Sequence, residues 1–443
     1  MFAIKRFIVS LHQNKNYHKK MKENSYYNRL IEDELQLQLE SSGAVLIEGA
    51  KWCGKTSTAA HSAKSVLYLQ DPDMAANYLQ LAQTKPSRLL EGATPRLIDE
   101  WQDAPVLWNA VRFAVDQRGE CGQFILTGSA VPSDDTHRHT GTGRIARIKM
   151  RPMSLWESHE STGEVSLKDL FDGKQDIEGQ SKITIDDLEY IICRGGWPAA
   201  VTSTNQKAAL QTARNYVKQE VESDIQRVDG SEKNPMRAMQ LLRSLSRNIS
   251  TLATDKTILD DMAANDMDMS FPTLTSYMNA FRRIFLVEDT LAWNPSIRSK
   301  TAIRTSSKRQ FVDPSIACAT LRLSPGRLLD NILYFGFLFE SLCCRDMRVY
   351  TETNDGSVFH YRDKSGLEAD MILELNDGRW AAVEVKLGNK QEDEAAKNLL
   401  KLRNKVNADK MGEPSFLMIL TGGQYAYKRN DGVLAVPIGC LKA

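Results

Sequence analysis

The residues best suited to chemistry in this chain form a short motif between an apolar run and a stretch of small residues. The motif is Gly49-Ala50-Lys51-Trp52-Cys53-Gly54-Lys55-Thr56, which fits the pattern G-x-x-x-x-G-K-[ST]. A glycine-rich turn of this kind aims backbone N–H groups at a phosphate, at the N-terminus of the helix that follows. We expect Lys55 to reach the β- and γ-phosphates, the Thr56 hydroxyl to bind Mg²⁺, and Ser57 to complete the loop. The motif therefore predicts a P-loop that binds ATP or GTP.

Two later apolar strands end in polar residues that complete such a site. The first ends in Asp99 and Glu100, and the second is followed by Thr127 and Ser129. We assign Asp99 to Mg²⁺ and Glu100 to activation of the attacking water, and we expect their strand to lie beside the P-loop strand. Thr127 and Ser129 are candidates to sense the γ-phosphate; a plain turn after a strand is the alternative for each.

A basic segment follows these strands. It contains Arg144 and Arg147 after a polar stretch. An arginine near a γ-phosphate stabilises the charge that develops during hydrolysis, so either residue is a candidate arginine finger. The alternative is a basic surface loop. A finger that acted in trans would require a homo-oligomer, whereas Arg144 acting in cis would not.

A second group of chemical residues lies near the C-terminus. Two strand patterns flank Asn376-Asp377-Gly378, a strong hairpin signal. A turn centred there places Asp370 opposite Glu384, and Lys386 shares the face of Glu384. Two carboxylates can hold Mg²⁺, and a lysine can activate water or stabilise phosphate charge.

An upstream helix pattern adds a third carboxylate to this group. Glu340 stands among apolar residues of the segment 333–343. A lone carboxylate on so apolar a helix needs a polar environment, and a metal site with Asp370 and Glu384 would supply one. A charged hairpin face is the alternative, and the spacing does not show that such a site cleaves anything.

Composition limits the classes of protein to which the chain can belong. Its 443 residues, 42% hydrophobic and 26% charged, fit a globular protein of about three domains. A net charge of +1 means that any nucleic-acid surface must be local. The seven cysteines form no CxxC pair, which argues against a zinc site and fits a reducing cytoplasm. No apolar run approaches the roughly 18 residues of a membrane span, so we expect no membrane association. The basic segment 1–22 is interpreted as a tail, and Met21 is a plausible true start.

The elements that position these residues follow from periodicity. Strand and helix patterns alternate up to about residue 150, which predicts a parallel sheet. The polar segment 161–181 is interpreted as a surface insertion. Residues 236–295 predict a helical module like a winged helix. The basic residues that follow it are candidates for phosphate contacts, and a domain-packing module with a solvated hairpin is the alternative. These basic residues are Arg298, Lys300, Arg304, Lys308 and Arg309.

The ordered set of motifs resembles bacterial and archaeal AAA-type ATPases that carry a C-terminal domain of unknown function. The motifs that carry this resemblance are Gly49 to Thr56, Leu97-Ile98-Asp99-Glu100 with Gln102, Leu126-Thr127-Gly128-Ser129, Gly143-Arg144, Gly195-Gly196-Trp197-Pro198, Phe311-Val312-Asp313-Pro314, Phe339-Glu340, Tyr361-Arg362, Glu368-Ala369-Asp370 and Glu384-Val385-Lys386. The resemblance implies an ATPase core, a winged-helix middle and a C-terminal fold like the PD-(D/E)xK nucleases, and it alone favours ATP over GTP. Lys51-Trp52-Cys53 stands where the family usually has Arg and Val, which leaves the phosphate-binding residues intact.

Together these patterns predict an α/β protein with four segments. These are a basic tail (1–25), a P-loop NTPase domain with a parallel sheet (26–205), a winged-helix-like module (206–310) and a restriction-endonuclease-like α/β domain (311–443). The expected function is ATP hydrolysis coupled to action on nucleic acid, with DNA favoured, and a nuclease-like C-terminal site. The alternative is an ATP-dependent regulatory switch whose C-terminal fold binds without cleaving.

Overall fold

The computed structural model describes residues 26–129, 141–226, 233–265, 268–294 and 306–443. These residues fall into two compact units. The first unit contains residues 26–47, 54–128 and 141–148, and the second contains residues 48–53, residue 129 and the described residues from 149 onward.

A five-stranded sheet with flanking helices forms the first unit. Its strands, two of which extend by one residue into the second unit, are β1 (Ala44–Glu48), β2 (Ser65–Tyr68), β3 (Arg96–Asp99), β4 (Phe124–Gly128) and β5 (Ile145–Lys149). Its helices are α1 (Ile31–Ser41), α2 (Lys55–Ser62), α3 (Ala75–Thr84) and α4 (Val106–Arg118). Buried apolar side chains of the strands pack with Trp101 and Trp108 in one core.

The order of these strands corrects one prediction. The order is β2-β3-β4-β1-β5, so β4 lies between the P-loop strand β1 and the strand β3 that ends in Asp99. The expectation that these two strands are neighbours is wrong, because β3 pairs in parallel with β2 on one side and with β4 on the other. Thr127, on β4, therefore stands between the strand of Asp99 and the P-loop strand.

The second unit combines helices with a seven-stranded mixed sheet and a two-stranded sheet. Its helices are α5 (Leu167–Phe171), α6 (Ile185–Arg194), α7 (Pro198–Val201), α8 (Gln206–Gln219), α9 (Pro235–Arg247), α10 (Asp255–Ala263), α11 (Phe271–Arg283), α12 (Ser315–Thr320), α13 (Ile332–Thr353), α14 (Glu392–Lys405) and α15 (Ala408–Met411). Its strands are β6 (Val165–Ser166), β7 (Gly179–Gln180), β8 (Gly356–Arg362), β9 (Glu368–Leu375), β10 (Trp380–Lys386), β11 (Leu417–Thr421), β12 (Tyr425–Lys428), β13 (Leu434–Pro437) and β14 (Leu441–Lys442).

The hairpin of β9 and β10 has the predicted register. The strands are antiparallel, with Val383 opposite Met371 and Trp380 opposite Glu374. Continued by one pair, this register sets Asp370 opposite Glu384. On its other side β10 pairs in parallel with β11, so the strand that carries Glu384 is internal and buried.

The segment 161–181 is part of the C-terminal sheets, and its interpretation as a surface insertion is wrong. In it, β6 pairs with β14 and β7 pairs with β12. The side chain of Phe171 packs edge-on against Phe416. Apolar residues that alternate with polar ones in this segment therefore mark buried positions on short elements.

Helices α9, α10 and α11 form in the segment that predicts a helical module. After α11 the chain forms isolated bridges, in which Val287 pairs with Phe311 and Thr290 with Lys308. Throughout the described residues, every helix is too short or too polar to span a membrane.

Candidate functional site

The P-loop backbone has the shape that its glycines allow. Helix α2 begins at Lys55, directly after Gly54, whose φ of +106° lies in the left-handed region. A Cβ atom at Gly49 would come within 2.1 Å of the Met150 carbonyl oxygen, so a larger residue does not fit there. The side chain of Lys55 is buried. The loop therefore places Lys55 at the N-terminus of helix α2, where a phosphate can bind.

Asp99 joins the P-loop helix to strand β4. Its Oδ1 atom accepts a hydrogen bond from Thr56 Oγ1 at 2.8 Å and another from Thr127 Oγ1 at 2.7 Å. Burial raises the pKa of Asp99, and the bonds from Thr127 and Thr56 offset part of that effect. Hydroxyl and carboxylate oxygens are the ligands that Mg²⁺ prefers, so Thr56 and Asp99 fit that ion.

Glu100 is held in an uncommon backbone conformation. Its φ is +55°, in the left-handed region, and its N–H donates to Thr127 Oγ1 at 3.1 Å. Gln102 donates a short hydrogen bond from Nε2 to the Glu100 carboxylate. Positive φ at a non-glycine residue is concentrated at functional sites. The local backbone therefore fixes the direction of the proposed water-activating carboxylate.

The other predicted residues near the nucleotide have different surroundings. Ser129 is buried, and its role as a sensor stays a prediction. Arg144 is half-exposed and pairs through Nε with Asp116 Oδ1 at 2.8 Å. Arg147 lies over the ring of Trp108. Both arginines contact helix α4, and the assignment of either as a finger stays a prediction.

Two P-loop side chains contact helix α8 and the turn after it, which the sequence does not indicate. Lys51 Nζ lies 2.7 Å from Asp224 Oδ1, and the ring of Trp52 packs against Tyr216 at 5.8 Å between centroids. Asp224 ends a π-helical stretch, Glu220–Asp224. A separation of 173 residues between Lys51 and Asp224 gives no periodic signal that could predict this pair.

The predicted C-terminal residues lie together in the second unit. Lys386 Nζ lies 2.7 Å from Glu384 Oε2 and 3.8 Å from Asp370 Oδ2. Asp370 Oδ2 also accepts a hydrogen bond of 2.9 Å from the N–H of Val385, as their position across the hairpin allows. Glu340, on α13, contacts Lys308, which in turn contacts Asp370. We call Lys308, Glu340, Asp370, Glu384 and Lys386 the carboxylate–lysine cluster.

Lys308 is a residue of this cluster, although its position in a basic run predicts a phosphate contact. Its Nζ atom lies 2.6 Å from Glu340 Oε1 and 2.9 Å from Asp370 Oδ1. The side chains of the three residues are 11%, 12% and 13% exposed, so the contact is largely withdrawn from water. Lys308 therefore bridges two carboxylates that the sequence predicts as metal ligands.

Neighbouring charges and burial shift the acidity of the cluster. Burial, reinforced by the Asp370 charge, raises the pKa of Glu340 and of Glu384 to about 8 each. Burial acts upward on Asp370 also, but the ammonium groups of Lys308 and Lys386 outweigh it and lower its pKa. The two lysines have raised pKa values because these carboxylates outweigh burial. Burial thus favours the neutral forms of Glu340 and Glu384, whereas the two lysines favour the ionised form of Asp370.

These contacts with lysine do not fit the predicted metal site. Across the described ranges, no group of three or more His, Cys, Asp or Glu side chains is arranged to hold a metal ion. Lys308 Nζ stands where a cation bound by Glu340 and Asp370 would stand, and an ammonium and a divalent ion repel each other at contact distance. The assignment of Glu340, Asp370 and Glu384 to a metal is therefore not supported by their geometry.

The predicted phosphate-contacting residues after α11 also need correction. Arg309 is buried, with its guanidinium paired to Asp255 and, at 3.2 Å, to Asp289. The side chains of Lys308 and Arg309 are both largely buried and pair with carboxylates of the second unit. Arg298, Lys300 and Arg304 lie outside the described residues.

Comparison with protein families agrees with the first of these sites. Residues 41–159 match a family described as an AAA domain. Two families described as domains of unknown function match residues 185–327 (DUF8612) and residues 335–441 (DUF4143). The segment that matches the AAA domain contains the P-loop together with Asp99, Glu100 and Thr127. A comparison with curated proteins gives no match.

Comparison with solved structures gives distant likenesses. A Walker-type ATPase of Pyrococcus abyssi is 12% identical, with a TM-score of 0.42 over 68% of this chain and 97% of that one. The replication initiator DnaA bound to AMPPCP and single-stranded DNA is 12% identical, with a TM-score of 0.27 over 57% and 85%. PCH-2 of C. elegans is 12% identical, with a TM-score of 0.21 over 60% and 72%. Scores this low do not establish a common fold.

Proposed function

We propose that this chain hydrolyses ATP at its P-loop with Mg²⁺ as the metal. The observation that carries the proposal is the pair of hydrogen bonds that Asp99 Oδ1 accepts from Thr56 and Thr127. They bring a P-loop hydroxyl and a partly buried carboxylate within hydrogen-bond distance of each other. The AAA-type domain supports the same reading.

Each residue has a distinct task in this proposal. The backbone N–H groups of the loop and the ammonium of Lys55 bind the phosphates. Thr56 and Asp99 hold Mg²⁺, which when bound neutralises charge on the β- and γ-phosphate oxygens. Glu100 orients the attacking water and accepts its proton, while Gln102 steadies the Glu100 carboxylate.

The proposal is tested by phosphate release from Mg-ATP, with GTP as a second substrate. We expect Lys55→Ala to lose nucleotide binding and Glu100→Gln to bind ATP but turn over about 10²- to 10⁴-fold more slowly. Asp103→Asn is a matched control, because Asp103 is an exposed carboxylate nearby that accepts a bond from Gln70. Turnover by Glu100→Gln at the wild-type rate would remove Glu100 from this role.

We further propose that the nucleotide state controls how the chain acts on nucleic acid, with DNA as the first candidate partner. The topology of α13, β8, β9, β10, α14 and β11, with charged residues at the ends of two strands, supports a nuclease-like C-terminal fold. The Lys308 contacts favour the alternative of a regulatory switch that binds without cleaving.

Labelled linear, nicked and single-stranded DNA separate these two alternatives. We expect binding without cleavage in Mg²⁺ or Mn²⁺, with and without ATP. Cleavage that is lost in Asp370→Ala would instead establish a nuclease. An ATPase rate that DNA does not change would remove nucleic acid as the regulated partner and leave ATP hydrolysis as the proposed function.

A further inference from the structure

The carboxylate–lysine cluster brings together side chains from separate segments of the chain. Its carboxylates lie on α13, β9 and β10, whereas Lys308 comes from a different segment, 62 residues before Asp370. The cluster contains three carboxylates, two of which, Glu340 and Asp370, are bridged by one ammonium group. The other ammonium, of Lys386, is on Glu384 at 2.7 Å. Lys308 is thus the lysine closer to Asp370, at 2.9 Å against 3.8 Å for Lys386.

The backbone around Lys308 is fixed on both sides of the residue. Its N–H donates to the Thr290 carbonyl and its carbonyl accepts from the Thr290 N–H, both at 2.9 Å. The next residue, Arg309, exchanges backbone bonds of 2.8 Å with Thr251 and Ser250. The Arg309 side chain adds a 2.9 Å bond to the Ala253 carbonyl. The ammonium of Lys308 is thus delivered by a braced backbone.

Both carboxylate oxygens of Asp370 already accept hydrogen bonds. Oδ1 accepts from Lys308, and Oδ2 accepts from the backbone N–H of Val385. A divalent ion bound to Asp370 and Glu340 would have to take the place of Lys308 Nζ. The displaced ammonium would then lie beside a charge of the same sign in a site with little water to screen it.

We propose that Lys308 is a resident internal cation that closes the carboxylate–lysine cluster to divalent metal ions. Lys308 has the place that a metal ion would need, so the folded chain keeps a nuclease-like carboxylate set neutralised by its own side chain. Removal of the Lys308 charge converts Glu340 and Asp370 into a divalent cation site. This inference concerns cation binding alone and does not depend on ATP hydrolysis or on nucleic acid.

Mn²⁺ binding to the full chain without nucleotide tests the inference, measured from the electron paramagnetic resonance signal of free Mn²⁺. Lys308→Met is compared with wild type and with Lys386→Met, a matched control that removes the same charge from the same cluster. We expect Lys308→Met to bind about one more Mn²⁺ per chain than wild type. We expect Lys386→Met to gain none, because Lys308 still bridges Glu340 and Asp370. Any Mn²⁺ held at the P-loop is common to all these proteins and cancels.

A double variant identifies the ligands of the gained ion. Lys308→Met with Asp370→Asn should lose it, and Mn²⁺ should raise the midpoint of thermal unfolding of Lys308→Met but not of the double variant. An equal gain in Lys308→Met and Lys386→Met would overturn the proposal, since charge alone would then explain it.

If Lys308→Met does not fold, the wild-type chain provides an independent test of the proposal. Wild type and Asp370→Asn should bind the same amount of Mn²⁺, because Lys308 closes the site in wild type. A wild-type Mn²⁺ site that disappears in Asp370→Asn would overturn the proposal. DNA cleavage plays no part in either measurement, so this inference and the proposed function fail separately.

Discussion

Two partly buried aspartates, one in each unit, show how the donors around a carboxylate decide what it can bind. Asp99 accepts hydrogen bonds from two threonine hydroxyls, and Asp370 accepts one from a lysine ammonium and one from a backbone N–H. Hydroxyl groups are neutral, so Asp99 keeps its full negative charge for a metal ion. Ammonium groups are cations, so Asp370 already has its counter-ion.

The acidity of the two carboxyl groups expresses the same contrast. Burial raises the pKa of Asp99, and neutral hydroxyl donors offset only part of it. Burial acts in the same direction on Asp370, but Lys308 and Lys386 reverse the outcome and lower its pKa. Asp99, the candidate ligand of an external cation, thus accepts hydrogen bonds from two neutral hydroxyl groups. Asp370 instead lies beside two lysine ammonium groups of the same chain.

The largest expected effect is on catalysis at the first aspartate. Asp99→Asn keeps the acceptor oxygen for Thr56 and Thr127 but removes the charge that holds Mg²⁺. Loss of metal-based charge stabilisation is worth several kcal/mol, so ATP turnover should fall about 10²-fold or more. Turnover is measured as a function of Mg²⁺ concentration, beside the exposed control Asp103→Asn. Unchanged turnover and Mg²⁺ dependence would show that Asp99 does not hold the metal.

The next effect is on the stability of the second unit. Lys308→Met removes the ammonium that bridges Glu340 and Asp370 and leaves Asp370 only the more distant Lys386, at 3.8 Å. Removing one partner of a buried ion pair typically costs about 3–5 kcal/mol. Adding Glu340→Gln should recover part of that loss, because one of the two carboxyl groups that face each other is then replaced by an amide. Hydrogen exchange of the β9 and β10 amides measures both. Strictly additive losses in the double variant would mean that the two residues do not interact.

The sequence predicts the first site better than the second because the first is local. The P-loop, Asp99 and Thr127 are each set by a strand end and a turn, whose residue types have a direct physical cause. The neighbour order of the strands is not local. The prediction that β3 lies beside β1 failed because the insertion of β4 depends on pairing, which periodicity does not encode.

At the C-terminal site, the hairpin register follows from the turn at Asp377, and it predicts the approach of Asp370 to β10. The position of Lys308 could not be predicted in this way. Its contact with Asp370 spans 62 residues, and a lysine in a basic run is usually solvated. The available signal is Glu340, a carboxylate on an apolar helix, which needs a polar environment. A metal site is the expected environment, and Lys308 of this chain stands there instead.

A pH effect of intermediate size is expected next to this cluster. Burial lowers the pKa of His360 to about 4, reinforced by the charges of Lys308 and Arg362, while a bond to the Ser306 carbonyl acts in the opposite direction. A histidine with a lowered pKa stabilises the folded state fully above its unfolded pKa. That contribution is lost as the pH falls from about 6.5 to about 4, and it amounts to about 3 kcal/mol.

His360→Gln removes this titration while leaving a side-chain donor near Ser306. The loss of stability of the second unit between pH 7 and pH 4 should therefore be smaller in the variant, as measured by urea unfolding at each pH. Carboxylates that titrate in the same pH range contribute equally to both proteins. The difference between the two stability curves therefore measures the contribution of His360. Identical curves would show that the pKa of His360 does not differ between the folded and unfolded states.

The smallest expected effect returns to Asp99 and its neutral donors. Thr127→Val removes one hydroxyl bond to Asp99 and should cost about 1 kcal/mol of stability, a fraction of the Lys308→Met loss. The difference arises because Asp99 keeps its hydrogen bond from Thr56, whereas Glu340 and Asp370 lose the ammonium that bridges them. Thr127→Ser keeps the hydroxyl and should unfold at the wild-type midpoint. A Thr127→Val loss as large as that of Lys308→Met would mean that neutral and charged donors are equivalent here, and the contrast between the two aspartates would no longer explain which site is open to a metal.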